Sequence, residues 1–252
     1  APATGLPTRT EQADLNFVLY SGHGEFPRAI FAPGDPQECL EIAGQAFDLA
    51  DAAQSPVFIL TDQYLADSYQ PIFGEIISKL KQREYLVFGK DYLRYKLTPT
   101  GISPLTYPGL GEALVKCDSD EHTEEGLITE DLSLRIKMVD KRLKKAKIFQ
   151  KNFRKPTWHG SKKAKNLLVC WGSNKQIVQE VVDKLGAKYA MLHFSQVYPL
   201  PDLSPYKQKI TVIENNATGQ FAALFKQYGG KVSGNILKYN GACFTVKELL
   251  EK

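Results

Sequence analysis

The stretch Asn166-Leu167-Leu168-Val169-Cys170-Trp171-Gly172-Ser173-Asn174 is a run of strand residues that ends directly in a tight turn. The turn is predicted to cap a helix over residues 175–185, and further strands are predicted at 189–193 and 209–214. A helix over residues 218–227 completes the pattern. Alternating strands and helices of this kind predict a small three-layer α/β domain with a parallel sheet.

A similar pattern lies earlier in the chain. Residues 28–32 indicate a short buried strand, and Asp35 in the turn Pro33-Gly34-Asp35-Pro36 is a plausible helix N-cap. The apolar run at residues 57–60 is typical of a parallel strand that is covered on both faces. Residues 62–68 then follow its carboxyl end, where α/β sheets form ligand crevices. We therefore expect the second half of a doubly wound sheet. The helix between the strands is expected to bury one face, made of Leu40, Ala43, Phe47 and Ala50.

Near the start of the chain, Gly5 and Pro7 predict a tight turn. Thr8 and Glu11 then have the spacing of a capping box, and Leu15, Val18 and Leu19 follow at helical spacing. This pattern predicts a helix that starts near Thr8 and holds Arg9 in its first turn. A helix N-terminus suits a carboxylate or a phosphate, but plain capping explains the same spacing. The residues alone leave both interpretations open.

The middle of the chain is divided by charge. Residues 118–131 carry seven acidic residues and no Lys or Arg. Asp120, Glu121 and His122 are conceivable metal ligands, although a solvated acidic loop is the favoured interpretation, because adjacent residues on one loop rarely form a complete ligand shell. The preceding residues, 85–108, are expected to form a long and partly extended connection.

Residues 135–165 carry thirteen basic residues and a single acidic one. Apolar residues recur there every three or four positions, which predicts one amphipathic helix over residues 135–153 with a basic outer face. The apolar positions are Ile136, Val139, Leu143, Ala146, Phe149 and Phe153. Such a helix is solvated, faces a subunit, or docks an acidic protein or a nucleic acid. No nucleic-acid fold signature accompanies it, and we expect no nucleic-acid partner.

The overall composition limits the class of protein. The chain has 252 residues, 43% of them hydrophobic, and nothing approaches the roughly 18 consecutive apolar residues of a membrane helix. Its four cysteines lie far apart in sequence, so no C-x-x-C metal cluster is present. We expect scattered reduced thiols in a cytoplasmic protein that contacts no membrane. Because the chain opens at Ala1 in mid-loop, it is interpreted as a processed, nicked or truncated piece.

Six motifs resemble, in family order, the alpha subunits of 2-oxoacid:ferredoxin oxidoreductases, the thiamine-dependent 2-oxoglutarate and pyruvate synthases. They are TGLPTRTEQADL (4–15), GHGEFPR (22–28), TDQYLADS (61–68), MVDKR (138–142), HFSQVYP (193–199) and ENNATGQF (214–221). The resemblance implies three regions. Residues 1–100 would be the C-terminal half of a pyrimidine-type thiamine-enzyme domain. Residues 101–160 would connect it to a transketolase C-terminal-like three-layer α/β domain at 161–252.

The resemblance also implies a reaction. The complete enzyme would oxidatively decarboxylate a 2-oxoacid on thiamine diphosphate, transfer the acyl group to coenzyme A and reduce ferredoxin through iron–sulfur clusters. Thiamine diphosphate with Mg, and the [4Fe-4S] clusters, would be bound mainly by partner chains: a beta subunit and the N-terminal or gamma portion of the enzyme. The sequences at residues 22–25 and 194–196 resemble the 2-oxoglutarate-type enzymes more than the pyruvate enzymes, which favours 2-oxoglutarate as the substrate. A non-catalytic interaction domain and a polyanion-binding protein are the alternatives.

The resemblance assigns this chain no catalytic residue and no metal ligand. It implies that Thr8 lines the 2-oxoacid pocket, with Thr4 and Arg9 as second choices, although Arg9 could equally pair with Glu11, Glu25 or Asp62. His23 is a candidate neighbour of the thiazolium ring. Two further groups are assigned structural roles: residues 214–216 to subunit packing, and His193 to the core or an interface.

Overall fold

The computed structural model describes residues 5–72 and 89–252. The helices are α1 (Leu15–Tyr20), α2 (Pro36–Ala53), α3 (Gln63–Ala66), α4 (Leu132–Lys144), α5 (Ala146–Lys151), α6 (Lys175–Leu185), α7 (Gln220–Gln227) and α8 (Val246–Leu250). The strands are β1 (Ala29–Phe31), β2 (Val57–Ile59), β3 (Thr157–Gly160), β4 (Asn166–Trp171), β5 (Tyr189–Phe194), β6 (Gln196–Tyr198), β7 (Lys209–Glu214) and β8 (Val232–Leu237).

A five-stranded sheet in the order β3-β5-β4-β7-β8 forms the C-terminal part of the fold. The strands β5, β4, β7 and β8 are parallel, and only the edge strand β3 runs antiparallel to its neighbour. Alternate residues of β4 point to opposite faces: Leu167 and Val169 pack towards Phe221 of α7, whereas Leu168 and Cys170 pack towards Val178 of α6. The predicted three-layer α/β arrangement is confirmed.

A three-stranded sheet in the order β2-β1-β6 forms the N-terminal part. β1 and β2 are parallel, as predicted, and β6 pairs antiparallel with β1. Because only Ser195 separates β5 from β6, one continuous stretch contributes a strand to each sheet. The two sheets are therefore joined by the chain itself. The predicted boundaries at residues 100 and 160 stay a prediction.

The predicted buried face of α2 is wrong. The helix buries Ile42, Ala46, Leu49 and Ala53, whereas Phe47 is 77% exposed. Many alanines give this helix two comparable apolar stripes, and its packing against β1 and Phe149 selects one of them. The predicted N-cap is confirmed, because the Asp35 carboxylate accepts the Glu38 N–H at 2.8 Å.

Two further predictions about the N-terminal part are wrong. β2 is an edge strand with Ile59 41% exposed, so the described residues do not cover both of its faces. The capping box of Thr8 and Glu11 does not form, because α1 begins only at Leu15. Long-range hydrogen bonds override the local signal: the Thr10 N–H donates to the Gly241 carbonyl and the Gln12 N–H to the Asn215 carbonyl.

The predicted single basic helix is two helices, α4 and α5, that meet at Lys145. The predicted apolar face is only partly correct: Phe149 is fully buried, but Ile136 is 64% exposed and Leu143 is exposed as well. The buried face instead contains two lysines; its members are Met138, Lys141, Lys145 and Phe149. Of the predicted connection at 85–108, the residues before 89 lie outside the described ranges. Across both described ranges, no helix has the length and hydropathy needed to cross a membrane.

Candidate functional site

The carboxyl ends of strands from both sheets converge on residues 9–14, here called the front segment. Gln12 lies at the centre of this convergence and is almost completely buried. Its side-chain N–H₂ group donates to the Trp171 carbonyl at the end of β4, at 2.9 Å. Its side-chain oxygen accepts from Asn174 Nδ2 and from the Asn215 N–H, both at 3.0 Å. One amide thus links the front segment to the ends of β4 and β7.

A second contact joins the front segment to the end of β2. Asp62 is buried, caps α3 by accepting the Leu65 N–H at 3.0 Å, and accepts a hydrogen bond from the Ser173 hydroxyl. The Tyr64 N–H donates to the Thr10 hydroxyl at 3.4 Å. Because α3 and Ser173 occupy the Asp62 carboxylate, that residue anchors the crevice and is not the counter-charge suggested for Arg9.

Thr8 and Arg9 lie at the exposed beginning of this arrangement. Thr8 has a φ angle of 59°, a left-handed conformation that is unusual for a β-branched residue and costs on the order of 1–2 kcal/mol. Arg9 lies beside Gly241, whose missing side chain leaves room for the arginine stem. Backbone strain of this kind is typical of functional loops, since the surrounding structure must hold it in place. Thr4 lies outside the described residues.

Residues 214–216 are buried inside this chain, so the assignment to subunit packing is wrong. Glu214 is fully buried, and its carboxylate accepts the N–H groups of Phe221 and Ala222 at 2.8 and 2.9 Å. Asn216 Nδ2 donates to the same carboxylate at 2.8 Å and to the Gln12 carbonyl at 3.2 Å. Both carboxylate oxygens are engaged, which makes Glu214 a structural anchor for α7 and the front segment.

A buried ion cluster lies beneath the crevice. Lys175 Nζ donates to Asp35 at 2.6 Å and to Glu38 at 2.8 Å. Burial opposes the charge on Lys175, but these two hydrogen bonds outweigh it and raise its pKa. Burial likewise acts against ionised Asp35, yet the bonds from Lys175 and from the Glu38 N–H lower the pKa of Asp35 overall. These shifts favour the charged forms of Lys175 and Asp35. The resulting ion pair holds the start of α6 against α2.

His193 is fully buried beside this cluster, as predicted for a core histidine. Its Nε2 lies 3.0 Å from the Gly172 carbonyl, so that nitrogen carries the proton and donates it. Burial lowers the pKa of His193 to about 4, and repulsion from Lys175 acts in the same direction. The neutral imidazole supports the turn after β4 and is closed off from solvent.

His23 is exposed and lines a different cavity from the front segment. It lines a cavity of about 470 Å³ together with Glu25, the acidic loop and α4. Within the acidic loop, Glu121 accepts hydrogen bonds from Arg142, which are the main reason that its pKa falls to about 2, and from Arg135. Glu121 is therefore part of an ion-pair network, whereas the favoured prediction was a solvated loop.

The described residues do not fit a metal or cluster site of their own. No group of three or more His, Cys, Asp or Glu side chains within residues 5–72 and 89–252 could hold an ion. The four cysteines are free, and burial raises the pKa of the Cys39 and Cys170 thiols, which opposes the thiolate form that metals bind. We derive no chemical step through a metal from these side chains.

Comparisons with known proteins give a consistent result. A family model described as "pyruvate flavodoxin/ferredoxin oxidoreductase, thiamine diP-bdg" matches residues 1–141. The alpha subunit of 2-oxoacid:ferredoxin oxidoreductase 1 from Sulfurisphaera tokodaii is 38% identical over 264 residues, covering 99% of this chain and 42% of that protein. The 2-oxoglutarate synthase subunit KorA from Methanocaldococcus jannaschii is 27% identical, covering 87% of this chain and 60% of that protein.

The fold is similar to a solved structure over the entire chain. The 2-oxoglutarate:ferredoxin oxidoreductase from Magnetococcus marinus, with 2-oxoglutarate, coenzyme A and succinyl-CoA bound, superimposes with a TM-score of 0.87 at 26% identity. The match covers 100% of this chain and 46% of that one. The chain thus spans less than half the length of the first relatives that it matches.

Proposed function

Because the chain belongs to the pyruvate flavodoxin/ferredoxin oxidoreductase family, we propose that it forms part of the alpha subunit of a 2-oxoacid:ferredoxin oxidoreductase. The complete enzyme would convert a 2-oxoacid and coenzyme A into acyl-CoA and CO₂ and reduce ferredoxin. The observation that carries this proposal is the similarity over the whole chain, in sequence and in fold, to alpha subunits and to a 2-oxoglutarate enzyme.

The front segment, together with Thr8 directly before it, is the proposed contribution of this chain to the substrate pocket. Thr8 and Arg9 are exposed at the edge of a crevice that Gln12 and Asp62 hold rigidly from below. A threonine hydroxyl donates to a carboxylate or a carbonyl, and an arginine binds a carboxylate with two parallel N–H groups. The left-handed conformation of Thr8 supports this role. Thr4, as part of the same motif, remains a proposed pocket residue.

The cofactors are proposed to lie mainly on partner chains. Thiamine diphosphate with Mg, and [4Fe-4S] clusters, would be held by a beta subunit and by the N-terminal or gamma portion of the enzyme. His23 on its exposed loop is a proposed neighbour of thiamine diphosphate. The edge strand β2 and exposed aromatic side chains, among them Phe17 and Phe47, fit a large subunit interface. The complex would work in the cytoplasm and use ferredoxin as its acceptor.

2-Oxoglutarate is the favoured substrate. The sequences at residues 22–25 and 194–196 support it, as does the similarity to the structure of a 2-oxoglutarate:ferredoxin oxidoreductase. Pyruvate is the alternative within the same family. The activity is tested by purifying the protein with its accompanying subunits and measuring ferredoxin reduction with thiamine diphosphate, coenzyme A and each 2-oxoacid. Co-purification without a thiamine-binding chain and without activity would instead favour a non-catalytic interaction domain.

Thr8→Val tests the pocket residue within that complex. Valine has the shape of threonine and the same branching, so the variant removes a hydroxyl without changing the backbone strain. One lost hydrogen bond of about 1–2 kcal/mol would raise the KM for the 2-oxoacid roughly five- to thirtyfold. The KM for coenzyme A should stay unchanged. Thr218→Val, at an exposed threonine of the C-terminal part, is the matched control. Equal KM values for Thr8→Val and wild type would reject Thr8 as a pocket residue.

A further inference from the structure

A cavity of about 150 Å³ lies between α4, the end of α2 and residues 94–103. It shares no lining residue with the small cavity beside Gln12. Four cationic side chains line it: Arg94, Lys141, Arg142 and Lys145. The described residues contribute no carboxylate to its lining. The cavity is therefore a concentrated positive site within the fold.

Lys141 and Lys145 are buried, and neither pairs with a carboxylate within the described residues, which is rare for buried lysines. Lys141 Nζ donates to the Tyr95 carbonyl at 2.6 Å, and Lys145 Nζ donates to the Gln54 carbonyl at 2.8 Å. An ammonium group has three N–H donors, so two on each lysine are not used by these carbonyls. These backbone bonds hold both side chains at the cavity wall.

The charge in the cavity is only partly balanced. Glu121 pairs with Arg142 at 2.7 Å, and Glu124 lies close enough to Lys141 to favour its charged form. Burial nevertheless lowers the pKa of both lysines to about 8, helped by repulsion from Arg94 and Arg142. Gathering unbalanced cations costs folding free energy unless an anion enters. An apolar side chain at either lysine would avoid that cost.

We propose that this cavity binds a tetrahedral oxyanion, the phosphate group of a small ligand. Its volume accommodates one such group, and ammonium and guanidinium donors are the groups that bind phosphate oxygens in proteins. The Tyr95 and His122 rings, stacked 3.6 Å apart between their centroids, close one side of it.

The test is a titration of the purified protein, with any subunits that accompany it, against inorganic sulfate and inorganic phosphate. Binding is compared among wild type, Lys145→Met and Lys144→Met, because Lys144 is the exposed neighbour of Lys145 at the end of α4. The loss of one charge-assisted donor should weaken the anion site about tenfold or more in Lys145→Met. Lys144→Met should bind as wild type does. Neither substitution lies at another anion site of the complex, so the binding at such sites is expected to be the same in all three proteins.

Arg94→Gln provides a second variant if Lys145→Met does not fold, since Arg94 is only half-buried. It should also weaken sulfate binding several-fold. Equal binding by wild type, Lys145→Met and Arg94→Gln would overturn the proposal, and so would an equal loss in Lys144→Met. The absence of any saturable sulfate or phosphate binding in wild type would overturn it as well.

Proton uptake gives an independent readout. A bound anion favours the charged lysines, so sulfate binding at pH 8 should take up protons and should weaken as the pH rises from 8 to 9.5. Sulfate is the appropriate probe because its own charge stays constant in this range. Among the described residues, the ionisable groups that line the cavity with the two lysines or act on their charge are Arg94, Tyr95, His122, Glu124 and Arg142, and Lys145 also repels Lys141. Glu121 is one step further away, paired with Arg142. Uptake that persists undiminished in Lys145→Met would contradict the assignment.

The source of the phosphate group is distinguished by competition. Inorganic phosphate and adenosine 3′,5′-bisphosphate are each titrated against bound sulfate in wild type and in Lys145→Met. Tighter displacement by the nucleotide than by inorganic phosphate, lost in the variant, assigns the site to a nucleotide phosphate. Equal displacement assigns it to the free anion. Displacement that is identical in the variant would argue against the site.

Discussion

Gln12→Met is the sharpest perturbation that the crevice offers. Methionine keeps the length and nearly the volume of glutamine, so the change removes polar contacts without opening a cavity. Three side-chain hydrogen bonds disappear, to the Trp171 carbonyl, to Asn174 Nδ2 and to the Asn215 N–H. At about 1 kcal/mol for each lost contact, the expected destabilisation is about 3 kcal/mol. The two backbone contacts of Gln12 with Asn215 and Asn216 remain.

The loss should appear first as local opening of the front segment. Arg9 is exposed, whereas Thr10 and Gln12 behind it are buried, so trypsin can cut after Arg9 only when the segment detaches. A change of about 3 kcal/mol would raise the open population, and with it the cleavage rate, on the order of a hundredfold. Urea unfolding at pH 7 measures the accompanying change in global stability, which is smaller if the segment opens separately.

Gln176→Met is the matched control, because Gln176 is exposed and makes one long contact, to Gln70 at 3.4 Å. It should stay within about 0.5 kcal/mol of wild type. If Gln12→Met were cleaved after Arg9 no faster than Gln176→Met and unfolded at the same urea concentration, the inference that this amide holds the front segment would be refuted.

Two further predictions concern the ion cluster beneath the crevice. Burial lowers the pKa of His193 to about 4, so below pH 6.5 the unfolded chain takes up a proton that the folded protein does not. The free energy of unfolding should therefore fall by about 1.4 kcal/mol per pH unit as the pH drops below 6.5. Urea unfolding of His193→Met should lack this slope between pH 6.5 and 5. Lys175→Met leaves buried Asp35 without its cation and Glu38 with only Arg154 at 3.9 Å, and should cost about 3–5 kcal/mol at pH 7 and less below pH 5. The exposed Lys184→Met should cost under about 0.5 kcal/mol in the same assay.

The inner strands of the C-terminal sheet, β5, β4 and β7, could be predicted from the sequence because they are mostly apolar. β4 and β7 are central strands covered by helices on both faces, and that burial produces an unbroken signal. The missed strands are of another kind. β3 and β8 are edge strands with polar or glycine residues, and β6 is only three residues long. Their pairing depends on neighbours that are distant in sequence.

The faces of two helices could not be predicted because periodicity fixes a spacing but not an offset. Of the apolar set that was expected to be buried, Phe149 is fully buried, but Met138, Lys141 and Lys145 join it at the same intervals of three or four residues. A pattern of apolar residues cannot select a face that contains two lysines. Their burial depends on the carbonyls of Tyr95 and Gln54, which lie 46 and 91 residues away in the chain.

The site itself gave an uneven sequence signal. The first motif covers the segment on which the strand ends converge, yet it predicted a helix start near Thr8 where the structure has a loop up to Leu15. Gln12, the residue that fixes this loop, is a single polar residue without any periodic context. Its partners Trp171 and Asn215 lie 159 and 203 residues away, so only the folded chain shows its role.

These contacts give the C-terminal part a role in the crevice even though both oxygens of the Glu214 carboxylate are engaged within that part. Glu214 holds α7, Asn216 links Glu214 to the Gln12 carbonyl, and Gln12 positions the exposed Thr8 and Arg9. The sheets also share the stretch around Ser195. A change at Glu214 should therefore disturb the front segment without touching any ligand. In the proposed enzyme, such a change would raise the KM for the 2-oxoacid because Thr8 and Arg9 would be displaced, while no group that contacts the substrate is removed.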